Sequence, residues 1–114
     1  MNYKENRPWG DFENLLEKDY CKVKIITIKP EQAPSYQSHK FRCERYIIIQ
    51  GKALITLDDQ DTVYEKGDLV TVDFGQKHRV RCISEEDLIF IEVQLGTYFG
   101  EDDIIRYADD YNRE

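Results

Sequence analysis

The chain has 114 residues, 40% of them hydrophobic, and its 23 acidic against 16 basic side chains leave a formal charge of -7. This length makes residues 1–114 a single domain, able to bury roughly two-thirds of the surface its unfolded form exposes. The acidic balance, with no run of five or more lysines or arginines, argues against a nucleic-acid partner, whose phosphates need a net basic face.

From the N-terminus, Met-Asn-Tyr-Lys-Glu-Asn-Arg lacks the hydrophobic stretch of a signal peptide. No apolar run approaches the roughly 20 residues of a membrane span. No membrane partner and a cytoplasmic location are expected. Arg7-Pro8-Trp9-Gly10 reads as a turn whose tryptophan caps a barrel. Val23–Ile28, Tyr46–Ile49, Ala53–Leu57, Asp68–Val72 and Leu88–Val93 follow as short strands rich in β-branched residues. Turn signals separate them at Pro30–Pro34, Gln50-Gly51-Lys52, Asp58–Asp61, Glu65–Asp68 and Phe74–Lys77. Strands at this spacing predict an all-β, antiparallel barrel or sandwich. Near the end, Ile104, Ile105, Ala108 and Tyr111 recur at helical spacing behind Glu101-Asp102-Asp103, which predicts a short C-terminal helix. Cys21, Cys43 and Cys82 are odd in number and form no CxxC, so buried thiols are expected rather than disulfides or a thiolate metal site.

Both histidines lie in two segments, Gln37-x-His39-x4-Glu44-x6-Gly51 and Gly67 leading to Gly75-x2-His78. On a strand Gln37 and His39 share a face, whereas on a helix they diverge by about 200°. Glu44 lies an odd number of residues from His39, so the backbone must be irregular across residues 40–43 to bring its carboxylate round. Imidazole, carboxylate and amide oxygen suit a divalent metal ion, zinc first, with manganese, iron, nickel and cobalt as alternatives. Gln37, His39, Glu44 and His78 are the expected ligands. Lys40, Arg42, Arg45, Lys77, Arg79 and Arg81 gather around them, so an anionic small molecule could be drawn to a globally acidic protein.

These ordered residues resemble a cupin. That superfamily usually opens with two histidines separated by one residue, and Gln37 stands in place of the first. In the second segment, Asp73 stands where proline is usual and Cys82 where asparagine is usual. A more extensive resemblance rests on Arg7-Pro8-Trp9-Gly10, Tyr20–Lys24, Ser35–His39, Arg42-Cys43-Glu44, Ile91–Gln94, Gly96–Arg106 and Asp109-Asp110-Tyr111. Together they resemble the C-terminal isomerase domain of type II mannose-6-phosphate isomerase/mannose-1-phosphate guanylyltransferases. The resemblance implies a cupin-type jelly roll and metal-dependent interconversion of mannose 6-phosphate and fructose 6-phosphate. It leaves no space in 114 residues for the guanylyltransferase half. Family members commonly carry further histidines just after His39 and directly after the glutamate, where this chain has Lys40, Phe41 and Arg45.

Such an isomerisation needs a base near the C2 proton, a Lewis acid on the C1 or C2 oxygen, and an anion clamp. Arg42, whose guanidinium fork fits phosphate, is the expected clamp. Lys40 is the candidate base, provided that burial or positive charge lowers its pKa. Lys77 is a further candidate for the anion, and Tyr46 and Gln50, which share the strand parity of Glu44, are expected in the pocket. Two other functions fit the same residues: a non-catalytic sugar-phosphate or sugar-nucleotide binding cupin, and a cupin oxygenase using non-haem iron. A two-fold homodimer is expected, since barrel edges invite pairing.

Overall fold

The computed structural model describes residues 3–111. Their elements are β1 Tyr3–Arg7, β2 Gly10–Glu17, β3 Cys21–Ile28, β4 Tyr36–Ser38, β5 Arg42–Gln50, β6 Lys52–Leu57, β7 Gln60–Glu65, β8 Leu69–Val72, β9 His78–Cys82, β10 Leu88–Gly96 and β11 Ile105–Ala108. They form two antiparallel sheets, one ordered β1-β2-β3-β10-β5-β8 and the other β11-β4-β9-β6-β7. The result is all-β and antiparallel, as the strand spacing predicts, and takes the jelly-roll form that the family resemblance implies. No helix long and apolar enough to cross a membrane occurs among the described residues.

Turn chemistry closes the hairpins. Asp58 and Asp59 take positive φ values of 46° and 69° between β6 and β7, the left-handed pair that a tight hairpin requires and that aspartate tolerates. Gly10 opens β2 where a Cβ would stand 2.0 Å from the Thr27 carbonyl oxygen, so no side chain fits there. Trp9 in the preceding turn is buried in the core, in keeping with its expected capping role.

The larger sheet carries its inward side chains in cross-strand rows, and their character changes along the barrel. One row is apolar: Phe12, Ile26, Phe90 and Ile48 in register on β2, β3, β10 and β5. Against it pack Ile55, Val80 and Ala53 from the other sheet, all in one buried cluster. Each fully buried aliphatic side chain here contributes about 1.5–3 kcal/mol of transfer free energy. The adjoining row reads Asn14, Lys24, Glu92 and Tyr46, and the next Lys22, Gln94 and Glu44. Charge thus enters the barrel from one end only.

The expected C-terminal helix is absent. Glu101–Asp103 form a turn, and Ile105–Ala108 run as a strand antiparallel to β4. Helical spacing lost to tertiary demand: β4 pairs with β9 on one side, and its other edge needs a partner. The Asp103 carboxylate accepts hydrogen bonds from the Lys40 and Phe41 backbone amides, both at 2.9 Å, which fixes the approach of β11.

Candidate metal centre

His39 follows β4, Glu44 lies on β5 and His78 opens β9. The bend at Lys40 and Phe41 supplies the change of phase that their odd spacing demands, although Arg42 and Cys43 already belong to β5. Gly96 permits the bend, because a Cβ there would lie 2.2 Å from the Phe41 carbonyl oxygen. One potential ligand atom from each of His39, Glu44 and His78 lies within 4.8 Å of the others. His39 Nε2 and His78 Nε2 each stand 3.5 Å from a different oxygen of Glu44. All three residues are buried.

Backbone carbonyls aim both imidazoles. His39 Nδ1 lies 2.7 Å from the Asp103 carbonyl oxygen and His78 Nδ1 lies 3.1 Å from that of Gln76. Each Nδ1–H donates outward, which leaves the Nε2 lone pair facing the cavity. Two imidazoles with Nε2 turned inward and a carboxylate in this arrangement fit a divalent transition metal. Gln37 lines the same cavity and sits opposite His78 in the β4–β9 register, where its amide oxygen can add a fourth donor.

The electrostatics favour ligands without protons. Burial pushes the His39 imidazole down to about 4, against the upward pull of Glu44. Burial alone would raise Glu44, but His78, Arg42, His39 and the Tyr46 hydroxyl together bring its carboxyl down to about 2. Tyr46 donates to Glu44 Oε1 at 2.6 Å and Arg42 Nε to Glu44 Oε2 at 2.9 Å. Arg42 Nη2 also approaches His39 Nε2 at 3.2 Å, so a cation taking that lone pair would displace the guanidinium from it.

The structure brings Gln37, His39, Arg42, Glu44, Tyr46 and His78 to one cavity and leaves three expected site residues outside it. Lys40 is exposed, with its ammonium 5.4 Å from the Phe41 ring centre, and does not line the cavity. Lys77 stacks over Tyr107 at 4.8 Å. Gln50 shares the parity of Glu44 but lies six residues further along the strand, about 20 Å away, where it donates to the Asp87 carbonyl. Arg79, which alternates with His78 along β9, nonetheless contributes to the cavity wall while donating to the Ala108 carbonyl at 3.0 Å. Cys82 is buried beside Ser84 and Glu86, a packing position.

Sequence reasoning missed several wall residues, chiefly Lys24, Glu92, Glu101 and Arg106. In β10 the outward residues Ile89, Ile91 and Val93 are more apolar than the inward Glu92 and Gln94, so alternation alone suggests the opposite face. The signal that could have found them is the register: Glu92 pairs with Tyr46 and Gln94 with Glu44, which makes them neighbours of a ligand strand.

A family model described as "Mannose-6-phosphate isomerase C-terminal" matches residues 1–109. Among curated relatives, the mannose-1-phosphate guanylyltransferase of Salmonella montevideo is 37% identical over 94% of this chain and 23% of its own length. The alginate biosynthesis protein AlgA of Pseudomonas aeruginosa is 36% identical over 94% of this chain and 22% of its own. The chain therefore spans less than a quarter of the relatives it matches. Among solved structures, Bacillus subtilis oxalate decarboxylase superposes with a TM-score of 0.80 at 18% identity, over 93% of this chain and 30% of that one. The cupin domain of Schizosaccharomyces pombe Cnp3 gives 0.73 at 15% identity, over 75% and 64%. The fold is a cupin, and the chain belongs to the mannose-6-phosphate isomerase C-terminal family.

Proposed function

We propose that this chain is a metal-dependent aldose–ketose isomerase domain that interconverts mannose 6-phosphate and fructose 6-phosphate. The observation that carries this reading is the convergence of His39, Glu44 and His78 in a cavity whose remaining wall is rich in cations. Arg7, Lys24, Arg42, Arg79 and Arg106 all contribute to that wall. Arg42 Nη1 and Arg106 Nε are buried without a hydrogen-bond partner, which suits donors awaiting an anionic oxygen.

A divalent ion held by His39, Glu44 and His78, with Gln37 as a fourth donor, would supply Lewis acidity to the oxygens on C1 and C2. Arg42 orients Glu44 and presents a free guanidinium nitrogen to the phosphate, and Tyr46 holds the second oxygen of Glu44. Zinc is the expected metal.

The departures from the family pattern count less against catalysis than the sequence suggests. Lys40, Phe41 and Arg45, which replace family histidines, are all exposed and none lines the cavity. Histidines at these positions would stand outside this cavity too.

A coupled assay on mannose 6-phosphate with chelated and remetallated protein tests the proposal. Metal-dependent formation of fructose 6-phosphate is the expected result. Saturable binding without turnover would select a sugar-phosphate binding domain instead, and oxygen consumption with ferrous iron would select an oxygenase. A homodimer belongs to the same proposal: Ile47, Leu69 and Leu95 are exposed on the outer face of the larger sheet, an apolar surface that a second copy would cover. A monomer in light scattering at micromolar concentration would reject the dimer.

A further inference from the structure

Isomerisation needs a group that moves a proton between neighbouring carbons, and the exposed Lys40 cannot reach the cavity wall. The wall contains three carboxylates, of which two are fully engaged. Glu44 is wrapped by Arg42, Tyr46 and the two imidazoles. Glu101 pairs with Lys24 at 3.0 Å and Lys22 at 3.5 Å.

Glu92 differs from both. It is 6% exposed and accepts a hydrogen bond from Gln94 Nε2 at 2.6 Å. Among the described residues it forms no ion pair, and Lys24, its register neighbour on β3, has turned to Glu101 instead. A buried carboxyl with only an amide for company opposes folding, and an apolar side chain would fill the space at lower cost. Its other register neighbour is Tyr46, whose hydroxyl holds Glu44, so Glu92 stands one side chain removed from the metal ligands. Burial, reinforced by the charge of Glu44, pushes its carboxyl up to about 7 against the pull of Lys24 and Arg42, which suits proton exchange near neutrality.

We propose that Glu92 is the acid–base group of this site, taking the C2 proton of the bound aldose phosphate and returning it to C1. The inference rests on the isomerase reading above. The C2–H electron pair becomes the C1=C2 bond as the carbonyl pair moves onto the C1 oxygen. The hydroxyl proton of C2 passes to the C1 oxygen, the C2 oxygen closes its own carbonyl, and Glu92 delivers its proton to C1. The carboxylate ends as it began, and no oxidant or reductant is consumed.

The test compares remetallated wild type, Glu92→Gln and Glu92→Asp on mannose 6-phosphate. Glu92→Gln keeps the volume and can still accept from Gln94, so it should bind metal with wild-type stoichiometry and retain KM within a few-fold. Its kcat should fall by about 10²–10⁴-fold. Glu92→Asp, a carboxylate set further back, should recover part of that loss. Turnover by Glu92→Gln within threefold of wild type overturns the assignment, as does loss of activity accompanied by loss of metal. An inert wild type instead removes the isomerase reading itself, and the role of Glu92 with it.

Discussion

The two ends of the barrel interior use the same strands for opposite purposes. At the apolar end, Phe12, Ile26, Phe90 and Ile48 form one row across four strands. Two residues along each of β3, β10 and β5 the row becomes Lys24, Glu92 and Tyr46, and two further it becomes Lys22, Gln94 and Glu44. A period of two keeps all of these inside. The apolar rows hold the sheets together, so the polar rows can carry groups that packing alone would reject. The two meet at the cavity floor, where Phe12, Ile26 and Phe90 of the apolar row join its lining and Phe90 packs on Tyr46 with ring centres 4.9 Å apart.

Substitutions at the two ends should separate these roles. Glu44→Gln is expected to have the largest effect: bound metal falls to background, and the uncompensated Arg42 charge costs about 3–5 kcal/mol of stability. Metal analysis and denaturant titration would read both, and a variant that keeps its metal would break the contrast. Ile48→Ala, in the apolar row but outside the cavity lining, should cost a similar amount, about 2–5 kcal/mol, yet the folded protein should keep full metal stoichiometry. Loss of metal there would mean that the ends are not independent.

The pH dependence sharpens the comparison within the polar rows. Glu92 rises from 4.5 to about 7 on folding, so the folded state holds its proton more tightly than the unfolded chain. Its contribution to stability is fully present below about pH 4.5 and is lost as pH rises through about 7, by at most about 3 kcal/mol. Glu92→Gln should remove that slope in metal-free protein; an unchanged slope would assign it to other groups. A smaller effect is expected at Asp103, whose carboxylate fixes the bend before Glu44 and whose carbonyl aims His39. Asp103→Ala should weaken metal binding about tenfold, measured by competition with a chelating dye. Smallest of all, Lys40→Ala should leave kcat/KM within twofold in the coupled assay, because its ammonium lies outside the cavity.

The legible parts of the sequence were those where local chemistry and tertiary environment agree. The cores of β3, β5, β6, β8 and β10 are β-branched and framed by turn residues, and each formed where expected. The edge strands β1 and β7, rich in charge and exposed on much of their surface, carry no such signal. Ile104, Ile105, Ala108 and Tyr111 fit a helix by spacing, but the open side of β4 is a three-dimensional fact that spacing does not encode. In the site, His39, Glu44 and His78 were legible because strand parity and one required bend bring them together. Gln50 had the right parity and the wrong depth along the strand. Glu92 and Lys24 were hidden because apolar neighbours face outward on the same strands.

Asp103 gives the centre an order of assembly. Its carbonyl steadies an imidazole contributed 64 positions upstream, and its carboxylate clamps the peptide links immediately after that imidazole. A nascent chain that has not yet added this aspartate holds both histidines and the glutamate but lacks the buckle that turns one ring inward. A variant without Asp103 and β11 would thus leave that ring unaimed while every strand of the larger sheet remained in place.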